Sequence, residues 1–257
     1  MDLGASIAGK HALVTGASGG LGEHFARLLA RSGAAVSIAA RREDRLGALA
    51  AELRAAGSPA VYEVILDVAD EESVLRALSH VESGRAPPLD ILVNNAGVAS
   101  SQPAISVATS DFDRIIDTNL RGAWLLSNAA ARAWLSAKRP GTIVNIASVL
   151  GLHPGNGVAP YSISKAGLIQ MTKLLALEWA RYGIRVNALC PGYIGTDMNA
   201  EFFASEPGRR MIDRIPMRRL GSPTDLNGAF LLLASDASAW MTGATLAVDG
   251  GHLVSPF

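Results

Sequence analysis

Short apolar runs punctuate this chain, each too brief to be a helix of its own. Seven of them carry the branched and small residues of buried strands: HALVTG (11–16), AAVSIAA (34–40), AVYEVILDV (60–68), DILVNNAG (90–97), TIVNIAS (142–148), IRVNALCPG (184–192) and TLAVDGG (245–251). Between them the apolar positions recur at helical spacing, as in LGEHFARLLARSG and REDRLGALAAELRAAG. Gly33, Gly57 and Gly183 stand where such helices should stop, because glycine tolerates the left-handed conformation that ends a helix. Strand alternating with helix predicts βαβ units. The expected fold is α/β: a doubly wound, Rossmann-type parallel sheet of seven strands with helices on both faces.

No Pro/Ser-rich linker and no shift in composition divides the chain, so residues 1–257 are expected to form a single domain. Two stretches break the rhythm. SGRAPPLD (83–90) is a Gly/Pro-rich connector before the fourth strand. Met198 to Arg219 is a long insertion between the sixth and seventh strands, mixing aromatics, prolines and charges, and predicts short helices and loops. A segment leaving the C-terminal edge of such a sheet hangs over the ligand crevice, which makes residues 194–219 a candidate substrate lid.

Composition narrows the class. With 49% hydrophobic and 18% charged residues the chain should fill a core. Its net charge of zero favours neither nucleic acid nor an anionic membrane surface. No window approaches the roughly 18 uninterrupted apolar residues of a membrane span, and the N-terminus lacks a secretory pattern. A soluble, cytoplasmic protein is expected. Cys190, the single cysteine, reads as a small buried hydrophobe, and no metal ligand is assigned.

The first strand runs into a turn with Gly16, Gly20 and Gly22, followed by a helix. The spacing G-x3-G-x-G departs from G-x-G-x-x-G, yet it serves the same purpose. Glycines let the backbone approach a pyrophosphate, and the helix aims its N–H groups at the anion. An acid for an NAD ribose would stand at the end of the second strand, where Ala40 is found, followed by Arg41 and Arg42. Cations oppose the dipole at a helix start, whereas Glu43 and Asp44 suit it. Capture of a 2′-phosphate gives the arginines a use, with Arg41 the first choice, so NADP(H) is favoured over NAD(H).

Tyr161 and Lys165 are four residues apart and so share one helix face, thirteen positions and more after Ser148. A free tyrosine has a pKa of about 10, and a neighbouring ammonium favours its ionised form. The pair is a candidate tuned acid/base.

These motifs lie in one order over nearly the whole chain: T-G-x3-G-x-G at Thr15–Gly22, Asp67 after the third strand, N-N-A-G at Asn94–Gly97, Asn119 in IIDTNLRG, Ser148, Y-x3-K at Tyr161–Lys165, and PGYIGT at Pro191–Thr196. Together they resemble the single-domain short-chain dehydrogenase/reductase family. The resemblance implies that Gly16, Ser18, Gly20, Leu21 and Gly22 cradle the cofactor, that Asp67 and Val68 bind its adenine, and that Asn95, Ala96 and Gly97 line the cleft. It implies that Lys165 holds the nicotinamide ribose and lowers the pKa of Tyr161, which exchanges a proton with the substrate oxygen. Ser148 would bond that oxygen, and Asn119 would hold a relay water or merely brace its helix. Pro191 and Gly192 would lead to Ile194 and Thr196, which would fix the carboxamide.

The expected activity is hydride transfer between NADP(H) and a ketone, aldehyde or secondary alcohol: a 3-oxoacyl thioester, a keto sugar or a cyclic ketone. A nicotinamide-binding regulator or scaffold without turnover is the competing reading. His153 is either a substrate contact or an ordinary loop histidine. Arg209, Arg210, Arg214, Arg218 and Arg219 either meet a phosphorylated carrier or form a solvated face with Glu201, Glu206 and Asp213. Leu168, Met171, Leu175 and Trp179 mark a helix buried on two sides, against a deep core or a second subunit. The family resemblance favours a homo-oligomer, dimer or tetramer.

Overall fold

The computed structural model describes residues 4, 6–84, 86–196 and 199–255. Arg85 of the connector and Asp197 and Met198 of the 194–219 stretch lie outside the described residues. Among the described residues seven strands are formed: β1 (His11–Thr15), β2 (Ala35–Ala40), β3 (Val61–Ile65), β4 (Ile91–Asn94), β5 (Gly141–Ile146), β6 (Ile184–Pro191) and β7 (Thr245–Val248). They make one sheet in the order 3-2-1-4-5-6-7, and every pairing is parallel. Every residue of β1, β2, β4 and β5 is buried, which is why these strands read as continuous apolar runs rather than as alternating ones.

Strand order reverses between β1 and β4, where an open parallel sheet leaves a crevice beyond its C-terminal tips. There two strands end earlier than their apolar runs. After β3, the Asp67 side chain accepts the Ala69 N–H and turns the chain. After β4, the N–H groups of Asn95 and Ala96 donate to the side-chain hydroxyl of Thr15, at the end of β1, instead of to a backbone carbonyl of that strand.

Helices α1 (Gly20–Arg31), α2 (Glu43–Ala55), α3 (Glu71–Val81), α4 (Thr109–Ile116), α5 (Gly122–Ser136), α6 (Ala159–Trp179), α7 (Ala200–Ala204), α8 (Glu206–Asp213) and α9 (Asn227–Ala234) connect the strands. α1, α2 and α9 cover one face of the sheet around Phe25 and Phe230, whose rings stack at 4.2 Å. α3, α5 and α6 cover the other around Trp134 and Leu168. Gly33, Gly57 and Gly183 all have positive φ (82°, 87° and 74°), as helix ends require. α4 passes into α5 through a π turn, Asp117–Arg121. Leu168, Met171, Leu175 and Trp179 of α6 all belong to the core of this subunit. The second apolar face of α6 consists of Ile163, Leu174 and Leu177, which are exposed.

Candidate active site

The cradle is built largely from backbone. Gly16 (φ 67°) and Gly20 (φ 57°) turn the chain sharply after β1. A methyl group on Gly22 would lie 2.3 Å from the Gly16 carbonyl oxygen and 2.4 Å from Asn95 Nδ2, so only glycine lets α1 begin this close to the β4 tip. No side chain caps α1, and its N-terminus faces the crevice with unpaired N–H groups of the kind that bind anions. Thr15 closes the switch point. Its hydroxyl donates to the Val93 carbonyl at 3.1 Å and accepts from the N–H groups of Asn95 and Ala96, while Asn95 Nδ2 donates to the Thr15 carbonyl at 2.9 Å. Val68 is buried and wedged against Gly122, where a methyl would meet the Val68 carbonyl at 2.8 Å.

The two arginines after β2 part company. Arg42 Nη2 donates to the Ser18 hydroxyl at 2.9 Å and to the Ser18 carbonyl at 3.1 Å, and so lies on the glycine turn. Arg41 points to Asp67, with Nη1 4.0 Å from the carboxylate, and is 70% exposed. The sequence assigned the phosphate to Arg41, yet the guanidinium resting on the cradle is that of Arg42. Neighbouring residues leave the backbone in different directions, and a one-dimensional pattern does not say which points inward.

Ser148 follows β5 and is buried. Its hydroxyl accepts from Leu150 N–H at 3.1 Å. A methyl on Gly151 would lie 2.7 Å from the Lys165 carbonyl carbon, so a bare backbone lets this turn rest on α6. Tyr161 and Lys165 share a face as expected, with Nζ 5.6 Å from the ring centroid. His153 follows the same turn, half-buried, its N–H donating to the Val149 carbonyl.

The electrostatics differ from the sequence expectation. Burial pushes the Tyr161 phenol above its ordinary pKa, and the group that opposes this is Ser148, not Lys165. The ammonium lies over the ring and donates to the Ile146 carbonyl at 2.7 Å. Lys165 is 4% exposed, and burial lowers its own pKa to about 8. Cys190, fully buried beneath this group, is pushed up to about 11 by burial and stays a neutral thiol, as its reading as a small hydrophobe requires.

Asn119, at the centre of the π turn, is 1% exposed. Its Oδ1 accepts Val98 N–H at 2.7 Å, and its Nδ2 donates to the Val98 carbonyl at 2.9 Å and to Ser164 Oγ at 3.0 Å. Both amide hydrogens are used in bracing. Gly97 passes close beside it, since a methyl there would lie 3.3 Å from Asn119 Oδ1 and 3.6 Å from Lys165 Nζ.

A second polar chain escaped the sequence reading. Asn94 Nδ2 donates to Asn145 Oδ1 and to Ser127 Oγ, both at 2.9 Å, and Asn145 Nδ2 donates to Thr172 Oγ1 at 2.8 Å. This ties the tips of β4 and β5 to α6. The asparagines in otherwise apolar strands (VNN and IVNI) were the available signal, since buried polar groups need partners.

Beyond β6, Gly192 crosses Asp249 where a methyl would lie 2.6 Å from the Asp249 α-carbon. Ile194 is buried and bridges to Gly221, and Thr196 N–H donates to Asn199 Oδ1. The stretch 199–219 forms α7 and α8, as short helices were expected. Its arginines are largely engaged on the surface: Arg210 with Glu206, Arg218 with the Asp213 carbonyl, and Arg219 with Asp225 at 2.6 Å. Arg209 and Arg214 are exposed as well.

Comparison with known proteins agrees with this arrangement. A family model described as "Enoyl-(Acyl carrier protein) reductase" matches residues 16–252. The chain belongs to the short-chain dehydrogenase/reductase family. A 3-oxoacyl-[acyl-carrier-protein] reductase, FabG, from Rickettsia felis is 40% identical over 250 residues, which cover 96% of this chain and 98% of the relative. A gluconate 5-dehydrogenase from Gluconobacter oxydans is 36% identical, with 97% of each chain covered. Among solved structures, a gluconate 5-dehydrogenase from Burkholderia cenocepacia in complex with NADP and tartrate superposes with a TM-score of 0.93 at 34% identity, covering 98% of this chain and 99% of that one. As in other short-chain dehydrogenases/reductases, oxidoreduction at C=O and CH–OH groups is the activity that this fold and its relatives share. Among the described residues no helix is long and apolar enough to cross a membrane.

Proposed function

We propose that this protein reduces a ketone or aldehyde with NADPH, or oxidises the corresponding secondary alcohol with NADP+, at the group formed by Ser148, Tyr161 and Lys165. The observation that carries the reading is the joining of that group to a glycine cradle at the sheet's switch point. The residues present fit the cofactor. Gly22 lets the glycine turn close against the β4 tip, the start of α1 is uncapped, and Arg42 with Ser18 supplies donors for a 2′-phosphate. NADP-bound relatives support the same choice. Arg41 and Asp67 then border the adenosine side.

The cofactor, when bound, supplies or accepts the hydride. Charge develops on the substrate oxygen during reduction, and that oxygen needs donors placed in advance. Ser148 offers its hydroxyl, and Tyr161 transfers the phenolic proton; in the alcohol direction Tyr161 takes the proton back. A phenol held protonated by burial suits the first direction. Lys165 brings a positive charge to a water-poor site and eases the loss of the phenolic proton as the reaction proceeds. Asn119 holds the Val98 segment against α6, with one Oδ1 lone pair left for a relay water.

The substrate is of the 3-oxoacyl thioester, keto sugar or cyclic ketone class, the first two supported by the relatives' activities. The lid arginines act as a solvated face. The chain works as a homo-oligomer in the cytoplasm, its subunits meeting through Ile163, Leu174 and Leu177 of α6 and the exposed Trp124 of α5. The test is NADPH oxidation against acetoacetyl-coenzyme A, a keto-gluconate and a cyclic ketone, with NADH in parallel. Turnover with NADPH should fall by about 10²–10⁴-fold in Tyr161→Phe, with NADPH binding retained. Equal turnover in the variant overturns the site. Cofactor binding with no turnover by either protein marks a regulator.

A further inference from the structure

We infer that Ser164 is a positioning residue: through Asn119 it fixes the first turn of α6 to the tip of β4, and so sets the direction of the Tyr161 side chain. This rests on the reading of Tyr161 as the proton donor. Ser164 is fully buried. Its hydroxyl donates to the carbonyl of Tyr161 at 2.7 Å and accepts from Asn119 Nδ2 at 3.0 Å. Asn119 in turn grips Val98 through both its carbonyl and its N–H. One chain of bonds therefore runs from the β4 tip, through the centre of the π turn, to the peptide group of Tyr161.

Two features separate this chain from ordinary packing. A helix serine that bonds back to a carbonyl one turn earlier gains little by itself and tends to bend its helix. Here the carbonyl belongs to the residue proposed to do the chemistry, and the hydroxyl is anchored outside the helix. Every hydrogen is also spent: both of the Asn119 amide and the one of the Ser164 hydroxyl. A fully satisfied buried network is rigid. A π turn adds a residue to a helix at a cost, and Asn119 sits at its centre, where it reaches across to α6.

The same helix provides a matched control. Thr172, two turns on, is also fully buried, donates to a carbonyl of its own helix (Leu168, 2.8 Å) and accepts from an asparagine amide (Asn145, 2.8 Å). The carbonyl it holds belongs to a core leucine. A merely structural hydroxyl should behave like Thr172.

The experiment compares Ser164→Ala, Thr172→Val and Tyr161→Phe in the full-length protein. NADPH and the substrates named above serve for kinetics, and amide hydrogen exchange is followed in residues 97–99 and 159–166. Ser164→Ala should lose about 10- to 100-fold in kcat, as expected for a misplaced reacting group. Its KM for NADPH should be unchanged, the pH limb assigned to Tyr161 displaced, and exchange faster in both segments. Thr172→Val should lower Tm and leave kcat, the pH limb and those segments as in the wild type. Wild-type kcat, pH profile and exchange in Ser164→Ala, with a loss of Tm alone, overturns the inference. Turnover that survives Tyr161→Phe overturns the proton-donor reading instead, and the exchange result still decides whether Ser164 joins the two segments.

Discussion

The two halves of the sheet are built from different material. On the β1–β3 side the site consists of backbone: glycines at 16, 20 and 22, an uncapped helix start, and side chains that keep clear or lean in from the rim, as Arg42 does. On the β4–β6 side it consists of side chains tied to one another, Val98–Asn119–Ser164–Tyr161, beside a structural brace, Asn94–Asn145–Thr172. The difference follows from the tasks. An anion is held by N–H groups, which reach it where nothing projects from the chain. A proton donor must point in one direction, and buried, hydrogen-bonded polar groups supply that rigidity.

The largest effects should come from filling the glycine contacts, one in each half. Gly22→Ala pushes a methyl into the Gly16 carbonyl and should abolish NADPH binding, measured by fluorescence titration. Gly151→Ala pushes the Ser148 turn off α6. It should leave NADPH binding intact while kcat falls about 100-fold. If both variants lose the same function, the two halves are not separate devices.

Next in size is Lys165, a buried charge with no acidic partner among its hydrogen bonds. Its pKa is about 8 when folded against 10.5 for the free group. Below about 8 both states carry the proton and the full penalty of burying the charge is present. Between about 8 and 10.5 the unfolded chain holds a proton that the folded chain has released, so wild-type stability gains with pH from this group. Lys165→Met should therefore raise Tm at pH 7, by an amount that shrinks across that window, while removing activity. The lost bond to the Ile146 carbonyl offsets part of the gain. A lower Tm at pH 7 would mean that the charge is better satisfied than its surroundings indicate.

The smallest effect separates the two arginines. A hydrogen bond to a charged group contributes about 1.5–3 kcal/mol. Arg42→Ala should accordingly raise KM for NADPH about 10- to 100-fold and leave KM for NADH alone, with Arg41→Ala close to wild type in both. The reverse ranking restores the first reading of the sequence.

Most of this architecture was legible in the chain because the signals are local. A buried parallel strand must be apolar on both sides, a helix end must bend left-handed, and Tyr161 and Lys165 share a face once a helix forms. The pKa of Tyr161 was not legible. The distance from phenol to ammonium and the depth of burial both arise from packing, and here burial raises the pKa and Ser148, rather than the lysine over the ring, opposes it. Likewise Leu168, Met171, Leu175 and Trp179 turned out to be the core of this subunit, and Ile163, Leu174 and Leu177 to be the outward face. A helix apolar on several sides has no unique orientation until its neighbours choose one.

By itself, then, the sequence determined the order of strands and helices, the glycine turn, and the identity of the groups able to move a proton, because each depends on covalent spacing and residue type. The tertiary structure alone decided which arginine reaches the cradle, what Lys165 binds, that Asn94, Asn145 and Thr172 brace the sheet against α6, and that Ser164 reaches Asn119. Those depend on contacts between residues 19 to 51 positions apart, Ile146 with Lys165 at one end and Asn94 with Asn145 at the other. Only folding brings such pairs to hydrogen-bonding distance, and burial then makes each bond matter.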